Sequence, residues 1–85
     1  MRNIVFEPQA FLDFNNWAKE EKKIYGKIVG LIDDILRNPF GGIGKPEPLK
    51  YNLAGWWSRR INLEHRLVYK IENDTVVISQ CRYHY

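Results

Sequence analysis

The first part of the chain has the pattern of a short strand followed by an amphipathic helix. Ile4-Val5-Phe6 is a β-branched and aromatic run that stops before Pro8, which predicts a first strand and then a helix start. Three aromatic residues then follow at intervals of three: Phe11, Phe14 and Trp17. This spacing predicts a helix from about Pro8 to Lys19 with the three aromatic side chains in the core.

The clearest helical period in the sequence comes next. Its apolar residues recur at intervals of four, three, one and three: Ile24, Ile28, Leu31, Ile32 and Ile35. The pattern predicts a second helix from about Lys22 to Arg37, with Asp33 and Asp34 facing away from the core. Asn38-Pro39 ends this helix, because proline cannot continue the hydrogen-bond ladder and disfavours helical backbone in the residue before it.

The second half of the chain has the pattern of a sheet. Runs rich in β-branched and aromatic residues predict three strands: Trp56 to Ile61, Arg66 to Ile71 and Thr75 to Tyr83. Asn73-Asp74 predicts a hairpin turn between the last two strands. A shorter strand is predicted over Leu49 to Asn52, and the glycine and proline content from Phe40 to Pro48 predicts a loop without regular structure.

This order of elements predicts an α+β fold, in which a mainly antiparallel sheet carries two helices on one face. The 85 residues have the length of one domain, 1–85, and such a chain buries only about 60% of its unfolded surface, which favours self-association. No apolar run is long enough to cross a membrane, and no secretory signal is visible after Met1. A cytoplasmic protein is therefore expected.

The net charge of +3 is unevenly distributed along the chain. Residues 1 to 36 hold five Lys or Arg against six Asp or Glu, whereas residues 37 to 85 hold eight against four. The basic second part favours a polyanionic partner such as a nucleic acid. Solvated basic side chains on strand edges give similar counts without binding anything, so charge alone leaves both interpretations open.

The last four residues carry a concentration of reactive side chains. Arg82-Tyr83-His84-Tyr85 combine a guanidinium, an imidazole and two phenols. Arginine can hold a phosphate, imidazole can accept or donate a proton near neutral pH, and a tyrosine ring can stack on a base. The segment suggests nucleic-acid chemistry, although aromatic chain ends more often dock against the core.

Glu47 lies in a stiffened part of the glycine-rich and proline-rich loop. Pro46 fixes its own φ, and Pro48 favours extended backbone at Glu47, so the carboxylate is held in a defined place. Lys45 and Lys50 flank it. A loop glutamate is usually a solvated bystander, but a carboxylate and an imidazole on opposite sides of a phosphodiester form a workable pair of general base and general acid.

A basic face is predicted on the sheet. By alternation along its strand, Arg66 is expected on the side opposite Leu67 and its apolar neighbours. Arg82 and His84 share a face by the same rule, and Arg60 adds a further guanidinium if its strand is in register. An ordinary solvated face with cross-strand charge pairs is the alternative, and the loop glutamate and terminal histidine favour a site.

Other kinds of site are not indicated. His65 is expected to point with the apolar residues of its strand, and Cys81 is expected to fill a small space in the core. These two residues and His84 lack the close spacing of metal ligands. Residues 41–45 neither follow a strand nor open a helix, as a phosphate-binding loop does. We expect no metal and no cofactor.

Several motifs of the chain, in order, resemble those of the YoeB toxin family. They are Asn38-Pro39-Phe40, Gly44-Lys45-Pro46-Glu47-Pro48-Leu49-Lys50, Trp57-Ser58-Arg59-Arg60-Ile61, Glu64-His65-Arg66-Leu67-Val68-Tyr69 and Cys81-Arg82-Tyr83-His84-Tyr85. The resemblance covers essentially the whole chain and is strongest from Asn38 onward. It implies a RelE-like toxin domain, related to the microbial ribonucleases, from a bacterial type II toxin–antitoxin module.

The resemblance also implies roles for individual residues. Glu47 matches the general base of the family, Arg66 its phosphate-binding arginine, His84 its general acid and Tyr85 its C-terminal active-site tyrosine. Six further residues are expected to contact RNA or the ribosome: Lys45, Lys50, Arg59, Arg60, Arg82 and Tyr83.

The implied activity is a ribonuclease that enters the ribosomal A site and cuts messenger RNA there, with a YefM-like antitoxin as partner and homodimers as a possibility. The competing interpretation is a module that binds RNA or the ribosome without cutting. A third interpretation is a structural partner of an acidic protein, which the basic face would also suit.

Overall fold

The computed structural model describes residues 2–85, so Met1, the first residue of the predicted domain, lies outside the described residues. Two α-helices, α1 and α2, run from Pro8–Glu20 and Lys22–Arg37, and a short 3₁₀ helix covers Tyr51–Leu53. The five strands are β1 (Asn3–Phe6), β2 (Glu47–Pro48), β3 (Trp57–Arg60), β4 (Arg66–Glu72) and β5 (Thr75–Gln80). The two helices pack on the sheet, which confirms the predicted fold class.

The five strands form one sheet in the order β1-β5-β4-β3-β2. β1 pairs parallel with β5, and the other neighbours pair antiparallel. The predicted hairpin joins β4 to β5, and its Asn73 has a φ of 56°, the left-handed conformation that tight hairpin turns require. The second half of the chain therefore forms a continuous antiparallel sheet from local connections.

Helix α2 contributes the largest part of the helical side of the core. Ile28, Leu31, Ile32 and Ile35 are buried against the sheet, as the apolar period predicted. The helix ends at Arg37, and Asn38 leaves the helical conformation before Pro39, with a φ of −145° and a ψ of 85°, which confirms the predicted stop. Its Asp34, however, does not face away from the fold, because it contacts the buried Arg59.

Helix α1 packs differently from its prediction at one position. Trp17 is buried and Phe14 packs against the core, but Phe11 is 57% exposed. An α-helix turns by about 100° per residue, so positions spaced by three drift around the helix and Phe11 lies about 120° away from Trp17. Ala10 and Asp13 occupy the buried face instead.

The predicted strand over Leu49 to Asn52 is wrong. Tyr51 has a φ of 59°, and the N–H groups of Leu53 and Ala54 donate to the carbonyls of Lys50 and Tyr51 in a turn. The strand that pairs with β3 is instead Glu47–Pro48, inside the segment predicted to be irregular. Proline lacks an N–H group, so a short edge strand is the kind of strand that tolerates it.

Strand β5 is shorter than predicted and ends at Gln80 instead of Tyr83. The next N–H group, that of Cys81, donates to the buried carboxylate of Asp13 on α1. Because the Cys81 N–H bonds to this side chain instead of to a neighbouring strand, the last residues leave the sheet. Within residues 2–85, neither helix has the length and apolar character that membrane crossing requires.

Candidate active site

A cavity of about 420 Å³ opens where β2, β3, β4 and the chain end meet. We call it the cleft. It is lined by Lys45, Pro46, Glu47, Pro48, Ser58, Arg60, Arg66, His84 and Tyr85. The four residues expected to be catalytic, Glu47, Arg66, His84 and Tyr85, are thus brought together from three separate parts of the chain.

Strand register explains why these residues share one face of the sheet. Glu47 pairs with Ser58, and Arg60 pairs with Arg66, so each pair projects to the same side. Arg59, between Ser58 and Arg60, projects to the helix side, where it contacts α2. The cleft therefore lies on the face of the sheet away from the helices, and the strand register, which the sequence left open, places Arg60 in it.

The backbone on both sides holds Glu47 in place. The N–H of Arg60 donates to the carbonyl of Gly44 (2.7 Å), and the N–H of Leu49 donates to the carbonyl of Trp56 (2.9 Å). Gly44 has a φ of 79°, and a Cβ atom there would lie 2.7 Å from a methyl group of Leu31. Only glycine fits this approach. The exposed Glu47 carboxylate is thus carried on a fixed segment.

Arg66 is oriented by the loop that precedes its strand. Its Nη1 atom donates to the carbonyls of Asn62 (2.6 Å) and His65 (3.1 Å), so one edge of the guanidinium is held by the protein. A guanidinium has five N–H donors, and the edge turned to the cleft can bind phosphate oxygens. Arg60 beside it adds a second positive charge to the same wall.

Helix α1 anchors the start of the C-terminal segment. The indole Nε1 of Trp17 donates to the carbonyl of Cys81 (2.9 Å), and the carboxylate of Asp13 accepts from the N–H of Cys81 (3.2 Å). Cys81 is fully buried, as predicted, and burial raises the pKa of its thiol to about 12. These contacts keep a segment that follows the last strand in a defined position.

The beginning of β4 anchors the end of the same segment. The N–H of Tyr83 donates to Nδ1 of His65 (2.7 Å), and the N–H of Arg66 donates to the carbonyl of Tyr83 (3.0 Å). The amide of Gln80 donates to the carbonyl of His84 (3.2 Å). Tyr83 itself has a φ of 61°, which turns the chain so that His84 and Tyr85 reach the cleft.

His65 is buried, as expected, with its ring edge-on to Trp17 at a centroid distance of 4.8 Å. It therefore belongs to the support of the cleft and not to its lining. Sequence reasoning identified it as a packed histidine but gave no sign of its bond to the terminal segment, which joins residues 18 positions apart.

Four of the six expected RNA-contacting residues lie outside the cleft: the buried Arg59 as well as Lys50, Arg82 and Tyr83. Lys50 lines an adjacent cavity of about 370 Å³ that shares Glu47, Pro48 and Tyr85 with the cleft. Arg82 and Tyr83 line a third cavity, toward α1, which shares His84 with the cleft. Arg82 makes two bonds to the Glu20 carboxylate and lies over the Trp17 ring, so its guanidinium is bonded on the α1 side and does not line the cleft, although Arg82 and His84 line the α1-side cavity together. Its hydrogen bonds lower the pKa of Glu20.

The expectation that Arg59 contacts RNA is wrong. The side chain is fully buried, and its guanidinium donates to the Asp34 carboxylate, the Tyr69 hydroxyl and three backbone carbonyls, those of Asn38, Gly41 and Ile43. Every N–H group that it could offer to a phosphate is directed into the protein. Arg59 thus fixes the loop after α2, and the Arg59 hydrogen bond lowers the pKa of Asp34.

Sequence reasoning missed Ser58 as a cleft residue. Its side chain is 3% exposed and it stands opposite Glu47 in the sheet. Alternation from Arg60 was the signal that would have placed it there. Among the described residues, no three His, Cys, Asp or Glu side chains come together in a way that could hold a metal ion.

The chain is similar to known proteins over nearly its full length. The model of the family described as YoeB-like toxins of bacterial type II toxin–antitoxin systems matches residues 6–85. The toxin YoeB of Escherichia coli strain K12 is 50% identical over 82 residues, which cover 96% of this chain and 98% of that protein.

Solved structures agree with that comparison. The YoeB dimer from Staphylococcus aureus superposes with a TM-score of 0.92 at 50% identity, covering 99% of this chain and 98% of that one. The toxin in the heterotetrameric YoeB-YefM toxin–antitoxin complex of the same organism has the same TM-score and identity, covering 100% and 99%. The similarity thus extends over the whole fold, including the segments that form the cleft.

Proposed function

Because the chain belongs to the YoeB-like toxins of bacterial type II toxin–antitoxin systems, we propose that it is a ribosome-dependent endoribonuclease that cuts messenger RNA in the ribosomal A site. Cutting there would stop translation. The observation that carries the proposal is the composition of the cleft. A carboxylate, an imidazole, two guanidinium groups and a phenol line one cavity, with every element that presents them fixed by backbone hydrogen bonds.

The proposed reaction is a transesterification within the RNA. Glu47 removes the proton from a ribose 2′-hydroxyl, and the oxygen attacks the adjacent phosphorus in line. The bond from phosphorus to the 5′ oxygen of the next nucleotide breaks, and His84 donates a proton to that oxygen. The products are a 2′,3′-cyclic phosphate and a 5′-hydroxyl, and each proton transfer contributes about 10²- to 10⁴-fold in rate.

The remaining cleft residues act on charge and position. Arg66, whose guanidinium is held by backbone carbonyls, neutralises the charge that develops on the phosphoryl oxygens, as preorganised donors do. Tyr85 orients the nucleotide by stacking. Lys45 and Arg60, on the rim and wall of the cleft, attract the RNA backbone.

The test is cleavage of a defined messenger on purified bacterial ribosomes, with the same RNA free of ribosomes alongside. The parent chain should cut at the A-site codon only when ribosomes are present, and the 3′ fragment should carry a 5′-hydroxyl. Glu47→Gln should cut about 10²-fold or more slowly. Glu72→Gln, on an exposed carboxylate at the far end of β4, is the matched control and should cut like the parent.

A 5′-phosphate product would rule out the proposed chemistry, and a Glu47→Gln variant as fast as the parent would remove Glu47 as the base. The competing function is binding to RNA or the ribosome without cutting. It predicts that the Glu47→Gln variant binds at least as tightly as the parent. Loss of a negative charge beside phosphate should leave binding equal or tighter. Ribosome binding without cutting in any sample would favour that function.

The proposed partners follow from the relatives. The Staphylococcus aureus toxin forms a complex with YefM and also a dimer, so we propose a YefM-like antitoxin and a homodimer for this chain, acting in the cytoplasm where its ribosomal target lies. Light scattering of the isolated chain at micromolar concentration reports the homodimer. Protection of ribosome-bound messenger by an added YefM-like antitoxin reports the complex.

A further inference from the structure

The cavity beside the cleft has the properties of a binding site of its own. It measures about 370 Å³ and is lined mostly by apolar and aromatic groups, among them Pro48, Leu49, Leu53, Tyr51 and Tyr85. It joins the cleft directly, since Glu47, Pro48 and Tyr85 line both. The volume and the lining of this cavity are typical of sites that bind small planar or apolar ligands.

Tyr51 is the unusual residue of this cavity. Its side chain is 91% exposed, more than that of any other large apolar residue among those described. Its φ of 59° is rare for a bulky residue, which in solvent would relax to extended or helical backbone. A conformation of this kind persists where the surroundings impose it, and such positions cluster at ligand sites.

Hydrogen bonds on each side impose it here. The N–H of Leu53 donates to the carbonyl of Lys50 (3.0 Å), and the N–H of Ala54 donates to the carbonyl of Tyr51 (3.0 Å). The bond from Leu49 to Trp56 (2.9 Å) closes the same turn on β3. The turn thus fixes the backbone at Tyr51 and presents the ring to the solvent instead of burying it.

We propose that this cavity binds the base of the nucleotide on the 5′ side of the cut, with Tyr51 as a stacking residue. The proposal rests on the proposed ribonuclease function and adds a subsite to it. Aromatic rings fixed at the edge of a basic groove are the usual way in which proteins hold an unpaired base. Lys50, exposed at the same cavity, supplies charge for the neighbouring phosphate.

The position of the cavity assigns it to the 5′ nucleotide. The lining includes Glu47 but neither Arg66 nor His84. In the proposed reaction Glu47 faces the ribose whose 2′-hydroxyl attacks, and that ribose belongs to the nucleotide 5′ of the broken bond. A base attached to this ribose therefore extends to the Glu47 side, whereas the departing 3′ nucleotide lies toward His84.

The experiment measures kcat/KM for cleavage of ribosome-bound messenger by the parent, Tyr51→Ala, Tyr51→Phe and the control Phe11→Ala. Phe11 is an exposed aromatic on α1, outside both cavities. Tyr51→Ala should lower kcat/KM about tenfold, because stacking is lost, and Tyr51→Phe, which keeps the ring, should recover most of that loss. The control should match the parent.

A second measurement changes the messenger, and its main comparison needs only the parent chain. Messengers carrying an abasic ribonucleotide on the 5′ or the 3′ side of the cut are compared with the intact messenger. The 5′ abasic messenger should be cut about tenfold more slowly, and Tyr51→Ala should lower its rate no further. Equal rates on the intact and 5′ abasic messengers would overturn the proposal, as would parent-like cutting by Tyr51→Ala.

Two further outcomes separate this subsite from other failures. If Tyr51→Ala cut normally but lost affinity for a YefM-like antitoxin, the cavity would be a protein-docking site and the proposal would be wrong. If the parent itself cut nothing, the proposed ribonuclease function would be wrong, and the subsite that rests on it would be wrong as well. The parent sample therefore tests the function, and the difference between parent and variant tests the subsite.

Discussion

Nδ1 of the buried His65 accepts a hydrogen bond of 2.7 Å from the backbone N–H of Tyr83. This bond connects the start of β4, which carries Arg66, to the segment that carries His84 and Tyr85. The bond from the N–H of Arg66 to the carbonyl of Tyr83 runs back in the opposite direction. His65 is therefore a positioning residue, and the relative placement of three cleft side chains depends on it.

We expect His65→Leu to slow single-turnover cleavage about 100-fold, because small displacements of catalytic groups have effects of that size. The unfolding free energy should fall by about 1–3 kcal/mol, since the N–H of Tyr83 loses its acceptor. His65→Asn keeps an acceptor near Nδ1 and should restore most of the rate. Equal rates for the Leu and Asn variants, both folded by circular dichroism, would contradict a positioning role.

Replacement of Arg59 should affect stability more than replacement of any exposed arginine. Arg59→Leu leaves the half-buried Asp34 carboxylate and several backbone carbonyls without their donor, and each buried acceptor left without a partner costs about 1–3 kcal/mol. Arg37→Leu is the matched control, since Arg37 pairs with Asp33 on the surface of the same region. It should change the unfolding free energy by less than about 0.5 kcal/mol.

Urea unfolding of the parent and both variants measures the difference. Similar midpoints for Arg59→Leu and Arg37→Leu would show that the internal network around Arg59 contributes little.

The Asp34 carboxylate should make stability depend on pH. The Arg59 hydrogen bond, with that of the Ile43 N–H, holds the pKa of Asp34 below its ordinary value of 3.8. A carboxyl group whose pKa is lower in the folded state stabilises the fold at pH values above its ordinary pKa. This stabilisation is lost as the pH falls through the folded-state pKa. The urea midpoint of the parent should therefore fall in acid more steeply than that of Asp34→Asn.

The comparison is made at neutral pH and at several acid values, with Asp33→Asn as a control for the loss of an exposed carboxylate. If Asp34→Asn lost stability in acid as steeply as the parent, the pairing with Arg59 would not be the cause.

Cys81 should be unreactive while the protein is folded. Burial, with the neighbouring Asp13, raises the pKa of its thiol to about 12, so thiolate is scarce at mildly alkaline pH. Iodoacetamide at such a pH should modify the native chain slowly and the chain unfolded in guanidinium rapidly, as mass spectrometry reports. Rapid modification of the native chain would show that the terminal segment opens far more often than its anchors at Trp17 and Asp13 imply.

The local sequence pattern was sufficient to predict most of the helices, strands and turns. The apolar period of α2 and its stop at Asn38-Pro39 depend on neighbours within a few residues, and so does the hairpin at Asn73-Asp74. These features were predicted with nearly correct bounds. The strand over Leu49 to Asn52 failed because its turn depends on a pairing with Trp56 and on left-handed backbone at Tyr51, neither of which apolar content reveals.

The side chains available for the chemistry can be identified from the amino-acid sequence. Glu47 between two prolines and His84 beside Tyr85 are visible as an acid and base pair, and the resemblance to a toxin family named the same residues. That they line one cavity is a property of the folded chain. Residues 47 and 84 are far apart in sequence, and only the sheet order β2-β3-β4 and the anchored terminal segment bring them together.

Which of the basic residues line the cleft depends on the folded arrangement of the chain. Arg59 and Arg60 are adjacent in sequence and chemically identical, yet side chains alternate along a strand, so one is buried against α2 and the other lines the cleft. Arg82 likewise turns to Glu20 because β5 ends at Gln80 and the Asp13 carboxylate takes the next N–H group. The sequence shows how many basic side chains there are, whereas strand register and long-range hydrogen bonds determine which face of the sheet each of them occupies.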